Sequence, residues 1–157
     1  MSTELKPLII IRPYAHLVKA MREILYEIGY EIKDDKAVID RKATLEDVKD
    51  DLKKVNSKTC PLFLVPFQHI QDREGKTLNG FIVIQDLLAQ SGGLFTQIPK
   101  DVHFLMTIAT ANKATYDRHK ETHKELFGKT KILELHEDLV LTTPYEAQEA
   151  IRKFLNT

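Results

Sequence analysis

Several short stretches bring together residue types that could do chemistry. In LIIIRPY (8–14) an aliphatic run stops at Arg12, Pro13 and Tyr14, and an amphipathic helical pattern begins at once. In open α/β proteins the loop just past a strand's carboxyl end is where ligands and catalytic groups sit. A guanidinium there can grip a phosphate or carboxylate through two parallel hydrogen bonds, or pair with an acid such as Asp72 or Glu74 or with a carbonyl. Gly75-Lys76-Thr77 imitates the end of a phosphate-binding loop, but Ile70 stands where the motif needs its first glycine, so the stretch reads as an exposed turn. His119 and His123 are spaced to share one helix face, with Asp117 and Glu121 nearby. HKETH is not the zinc signature HExxH, and structural zinc takes four ligands with thiolates among them. The stretch YDRHKETHKEL therefore reads as a solvated face, and no metal is expected. Asp72, Arg73 and Glu74 read as a surface loop, and Cys60 as a small buried hydrophobe with no histidine to activate it.

The elements that would position these groups are legible from periodicity. Residues 7–11 (PLIII), 62–65 (LFLV) and 102–108 (VHFLMTI) are continuous apolar runs, as expected of strands covered on both faces. Leu17, Met21, Ile24, Leu25 and Ile28 recur at helical spacing, and Gly29 ends that helix. Thr44 with Asp47 marks the start of a helix carrying Leu45, Val48, Leu52 and Val55. Residues 67–79 read as a long polar loop before a helix at 81–90. A charged helix is predicted over 114–127, ended by Gly128, and a last helix over 145–155. Tyr30–Ile32 could add a short strand; 131–135 and 139–141 are both strand-like. Strands alternating with helices predict one α/β domain with a parallel sheet, right-handed crossovers and helices on both faces.

Composition narrows the classes of function. The 23 basic and 23 acidic residues cancel, which removes the basic excess of a nucleic-acid binder. No apolar run approaches the ~20 residues that span a bilayer, so no membrane association is expected. A lone cysteine and an N-terminus without signal-peptide character suit a reducing, cytoplasmic setting.

Three segments carry a resemblance. LIIIRPYAHLVKAMREILYEIGYEI (8–32), NGFIVIQDLLAQ (79–90) and LTTPYEAQEAIRKFL (141–155) resemble response-regulator receiver domains. Their counterparts there are the first strand and helix, the Gly-Phe start of the third helix, and the Leu-Thr-Lys-Pro-Phe turn with the final helix. With the strands at 62–65 and 102–107 they cover about half of the chain in the right order. The resemblance implies a doubly wound, flavodoxin-like sheet of five parallel strands in the order 2-1-3-4-5. It also implies a site where an aspartate accepts a phosphoryl group beside Mg²⁺, whose hard oxygen ligands come from an acidic pair.

Carried across residue by residue, that chemistry is missing. The acidic pair falls on Arg12 and Pro13, the phosphoacceptor on Pro66 and the conserved lysine on Thr143, while the hydroxyl position is kept as Thr107. The switch aromatic falls on Val140. The resemblance is thus to a pseudo-receiver with a degenerate phosphorylation site, acting as a protein-interaction module in signalling, with no enzyme activity and no cofactor. The partner would be a signalling protein or a second copy of the chain, met through a face that includes Tyr116, Lys120, Lys124, Val140 and Tyr145. The alternative expectation is a domain that binds a small anion or ligand, with or without catalysis, through Arg12, the 67–79 loop, Thr107 and Thr143.

Overall fold

The computed structural model describes residues 6–7, 9–11, 15–31, 38–39, 62–67, 70–71, 74–89 and 102–156. In chain order these form β1 (Lys6–Pro7), β2 (Ile9–Ile11), α1 (Ala15–Ile28), β3 (Tyr30–Glu31), β4 (Val38–Ile39), β5 (Leu62–Pro66), β6 (Ile70–Gln71), β7 (Thr77–Leu78) and α2 (Gly80–Ala89). There follow β8 (His103–Ile108), a 3₁₀ turn at Thr110–Asn112, α3 (Lys113–Thr122), α4 (Lys124–Lys129), β9 (Lys131–His136), α5 (Glu137–Thr142) and α6 (Pro144–Leu155). Arg12, Pro13, Cys60, Asp72, Arg73 and the helix expected from Thr44 lie outside the described residues.

The main sheet runs β4-β2-β5-β8-β9, and every pairing in it is parallel. Every residue of β5 and β8 is buried, which follows from apolar runs covered on both faces. Side chains alternate between two cores. Phe63, Val65, Phe104, Met106 and Ile108 pack with Phe81, Val83 and Ile84 of α2 and with Tyr116 and Leu126 of α3 and α4. Leu62, Leu64, Leu105 and Leu135 pack on the other side with Leu17, Met21, Ile24 and Leu25 of α1, Val140 of α5, and Ala147 and Ile151 of α6. Helices therefore cover both faces of a parallel sheet. Gly29, at φ 104°, closes α1 with its N–H donated to the Tyr26 carbonyl (3.1 Å), a left-handed position open to glycine at no steric cost.

Three sequence expectations need correction. The strand-like 139–141 stretch lies in α5: Val140 is buried while Leu141 beside it is exposed, the one-sided burial of a short helix. Glu137 and Asp138 in its first turn favour that helix electrostatically, and β9 is the sheet's last strand. The helix predicted over 114–127 is broken at His123 (φ −110°, ψ 23°), whose N–H is shared between the carbonyls of His119 and Lys120. Gly128 lies inside α4 rather than ending a helix. The 67–79 loop holds an antiparallel hairpin, β6 against β7, with Gly75 at φ 84° near its tip.

Gly80 opens α2 where the chain runs closest to β5. A Cβ built there would stand 2.8 Å from the Pro66 carbonyl oxygen and 3.1 Å from the Met106 methyl carbon. The first neighbour is backbone of a central strand and cannot yield. Gly80→Ala should therefore cost about 1–3 kcal/mol through forced backbone displacement, read as a lower urea midpoint. Gly128→Ala meets nothing within 4 Å. It should leave stability unchanged or raise it by up to about 1 kcal/mol, because alanine is the better helix former.

Candidate functional site

At the carboxyl edge of the sheet, Pro66 ends β5 in register with Thr107 of β8. The next residue, Phe67, donates its N–H to the Thr107 carbonyl (2.9 Å) and accepts at its own carbonyl from the Gly80 N–H (2.8 Å). The edge is thus stitched by backbone. Pro66 offers neither an N–H nor a nucleophile. Thr107 is 2% exposed and, by alternation along β8, shares the face of Leu105. Thr143 stands seven residues past His136, the last residue of β9, with all of α5 between them. Its N–H and its hydroxyl both donate to the Leu139 carbonyl (2.9 and 3.0 Å), and its own carbonyl accepts the Ala147 N–H (3.2 Å). It terminates one helix and starts the next, while the residue at the end of β9 is His136, level with Ile108. Of the expected edge residues the structure pairs Pro66 with Thr107, and Thr143 serves the α5–α6 junction.

The expected interface residues divide by burial. Tyr116 and Val140 are each 1% exposed and belong to the two cores, so neither presents surface to a partner. Their places in a helical pattern carried the signal: both fall on inward faces. Lys120 ion-pairs with Glu134 of β9 (2.6 Å) and lies 5.2 Å from the Phe127 ring centroid. Lys124 reaches Glu121 at 3.4 Å, both side chains well exposed. Tyr145 is 72% exposed. With Leu141 and Pro144 it rims a groove of about 430 Å³ floored by Ala20, Ile24 and Val140 between α1 and the α5–α6 corner. Leu141 is an interface candidate that its strand-like reading concealed.

The histidines are not on a solvated face. His119 and His123 are half-buried; the first ring lies 5.8 Å from the Phe67 centroid, and the second stacks on Phe81 at 5.4 Å and 20°. Asn79 caps α2, its Oδ1 accepting the Ile82 N–H (3.0 Å), and its Nδ2 lies 3.2 Å from His119 Nδ1. Tyr116 stacks on Phe81 and meets Phe67 edge-on. Burial, then the nearby Glu134 and Asp117 carboxylates, pushes its phenol above the ordinary tyrosine range. Glu134 stands close enough to oppose ionisation yet outside the geometry of a formed hydrogen bond. Thr110, in the 3₁₀ turn after β8, donates its hydroxyl to the Asp138 carboxylate of α5. Among the described residues no group of three or more His, Cys, Asp or Glu could hold a metal ion, and no helix is long and apolar enough to cross a membrane.

No family model and no curated protein matches this sequence. Solved structures do. A CheY-like response regulator receiver domain from Methylobacillus flagellatus superposes with a TM-score of 0.54 at 13% identity, over 94% of this chain and 99% of that one. SdrG from Sphingomonas melonis Fr1 gives 0.53 at 11% identity, over the whole of both chains. NtrX from Brucella abortus gives 0.50 at 12% identity, over 97% of this chain and 28% of that one. Identities so low speak to the fold alone. Together with the parallel sheet and its two helical layers, they show that the chain has a receiver-like α/β fold.

Proposed function

We propose that the protein is a pseudo-receiver: a signalling module that works by binding a protein partner and takes no phosphoryl group on an aspartate. The observation that carries this reading is Pro66. It closes the central strand at the carboxyl edge, beside a buried Thr107, where the receiver resemblance calls for the phosphoacceptor. Proline has no side-chain nucleophile, and Arg12 and Pro13 supply no carboxylate for Mg²⁺. Without a covalent event at the edge, signalling must come from what binds the surface and from its differential affinity for conformations of the module. The small-anion alternative gains no such support, because Thr143 commits its hydroxyl to Leu139 and Thr107 has almost no accessible surface.

The contact surface that fits this reading is the outer side of α3, α4, α5 and α6, with Tyr145, Leu141, Lys124 and the exposed part of Lys120. Tyrosine supplies a large, rigid contact at low entropic cost and is enriched at binding hot spots. A homodimer through this face would bury on the order of 1,200–1,600 Å² in total, a standard interface.

Incubation with Mg²⁺ and acetyl phosphate should leave the intact mass unchanged under conditions that load an ordinary receiver. A stoichiometric phosphoryl adduct would overturn the reading, and mapping it would identify the acceptor. In sedimentation equilibrium the protein should show a concentration-dependent dimer. Tyr145→Ala should weaken that dimer about tenfold or more, as loss of a hot-spot aromatic does. The same change should alter stability by no more than about 0.5 kcal/mol, whereas Tyr116→Ala should cost about 3–5 kcal/mol as a core truncation. A monomer at every concentration would exclude self-association.

A further inference from the structure

The contact between Asn79 and His119 fixes more than a distance. An amide side chain has one acceptor end and one donor end, and which is which is normally inferred from its neighbours. Here the helix decides. Asn79 Oδ1 accepts the Ile82 N–H at the first turn of α2, so Nδ2 must face His119 as a donor. Flipping the amide would set its NH₂ against the Ile82 N–H and uncap the helix, in a residue that is 8% exposed. His119 Nδ1 must therefore accept in this contact, which leaves Nε2 as the nitrogen that carries the ring N–H.

A proton on Nδ1 converts this contact into two donors facing each other. The next imidazole follows one turn later. His123 breaks the helix between α3 and α4 and stacks on Phe81 of the same helix α2. Both rings thus dock α3–α4 onto α2 and the residue that follows β5, His119 as an acceptor and His123 by stacking. The groups facing them from those elements are Asn79, Phe67 and Phe81, none of which titrates. From β9, Glu134 is engaged by Lys120. On α3 and α4 themselves the charged neighbours are Asp117, Lys120, Glu121 and Lys124, and Glu121 reaches towards Lys124. Among the described residues no carboxylate pairs with either imidazole to compensate its charge.

We propose that this junction is an acid-sensitive latch, closed by the His119 acceptor at Asn79 and the stacked His123 ring and released as the junction binds protons. The inference goes beyond the pseudo-receiver reading and does not rest on it. Burial, then the neighbouring His119, holds His123 below the ordinary histidine range. In the window beneath that range the undocked segment binds more protons than the docked one. Docking is therefore at full strength above the ordinary imidazole pKa of about 6.5 and weakens as the pH falls below it.

The test uses the native protein labelled with ¹⁵N. Imidazole nitrogen shifts at pH 8 should report His119 as the neutral Nε2–H tautomer. Between pH 8 and pH 5, amide protection in α3–α4, corrected for intrinsic exchange, should fall about tenfold relative to α6. In the double variant His119→Gln, His123→Phe, the glutamine carbonyl still accepts from Asn79 and the phenyl ring still stacks, so the relative loss should disappear. An Nδ1–H tautomer at pH 8, an acid-independent wild type, or a variant that retains the full acid response would each overturn the latch. The tautomer measurement stands even if the variant folds poorly.

Discussion

The missing side chain of Gly80 is the constraint on which the carboxyl edge depends. Because nothing projects from its Cα, α2 can start within hydrogen-bond reach of the residue that follows β5, and the Gly80 N–H meets the Phe67 carbonyl. That approach sets where Asn79 lies. Asn79 caps α2 with one end of its amide and holds His119 with the other. His119 sits one turn beyond Tyr116, whose ring fills the space between Phe67 and Phe81. One backbone contact thus aligns β5, α2 and α3 in sequence, and a Cβ at position 80 would disturb all three together.

The same helix α3 reaches outward to the edge of the sheet. Glu134 lies on β9 level with Met106, and alternation along the strand puts it on the face that α3 and α4 cover. A carboxylate turned inward on an edge strand discourages pairing with another sheet, at the cost of needing a partner. Lys120 supplies it. At 42% and 30% side-chain exposure this pair is solvent-screened, so its contribution to stability is small, on the order of 0.2–1 kcal/mol. Its value is positional, since it ties α3 to β9 one residue after the His119 contact with Asn79.

What could be read from the sequence follows from the range of the interactions. The buried strands β5 and β8, the amphipathic α1 and α6 and the Gly29 stop are encoded locally by apolar period and one left-handed residue, and they stand where expected. The 139–141 stretch was ambiguous because three apolar residues suit either period; only packing on α1 and α6 shows that Val140 is inside and Leu141 outside. His119 and His123 looked solvated because charged neighbours surround them in sequence, whereas the aromatic rings that cover them come from β5's end and α2, roughly forty residues earlier. The Thr143 assignment rested on a motif that slid along the chain: α5 is inserted between the end of β9 and Pro144. Tertiary contacts of this kind have no local signature.

In this receiver-like fold the end of β5 and helix α3 are joined by a chain of contacts. At the carboxyl edge Pro66 ends β5 beside Thr107, and backbone hydrogen bonds join Phe67 to Thr107 and to Gly80. The end of β5 communicates with α3 through Phe67, Gly80, Asn79 and His119, each link being a contact under 6 Å. A conformational equilibrium needs only a ligand with different affinity for its two states, and a proton is such a ligand. A proton on His119 Nδ1 would set two donors against each other at Asn79, beside the Lys120–Glu134 tie on the same helix. It would loosen the hold of α3 on α2 while Lys120 still reaches Glu134 of β9.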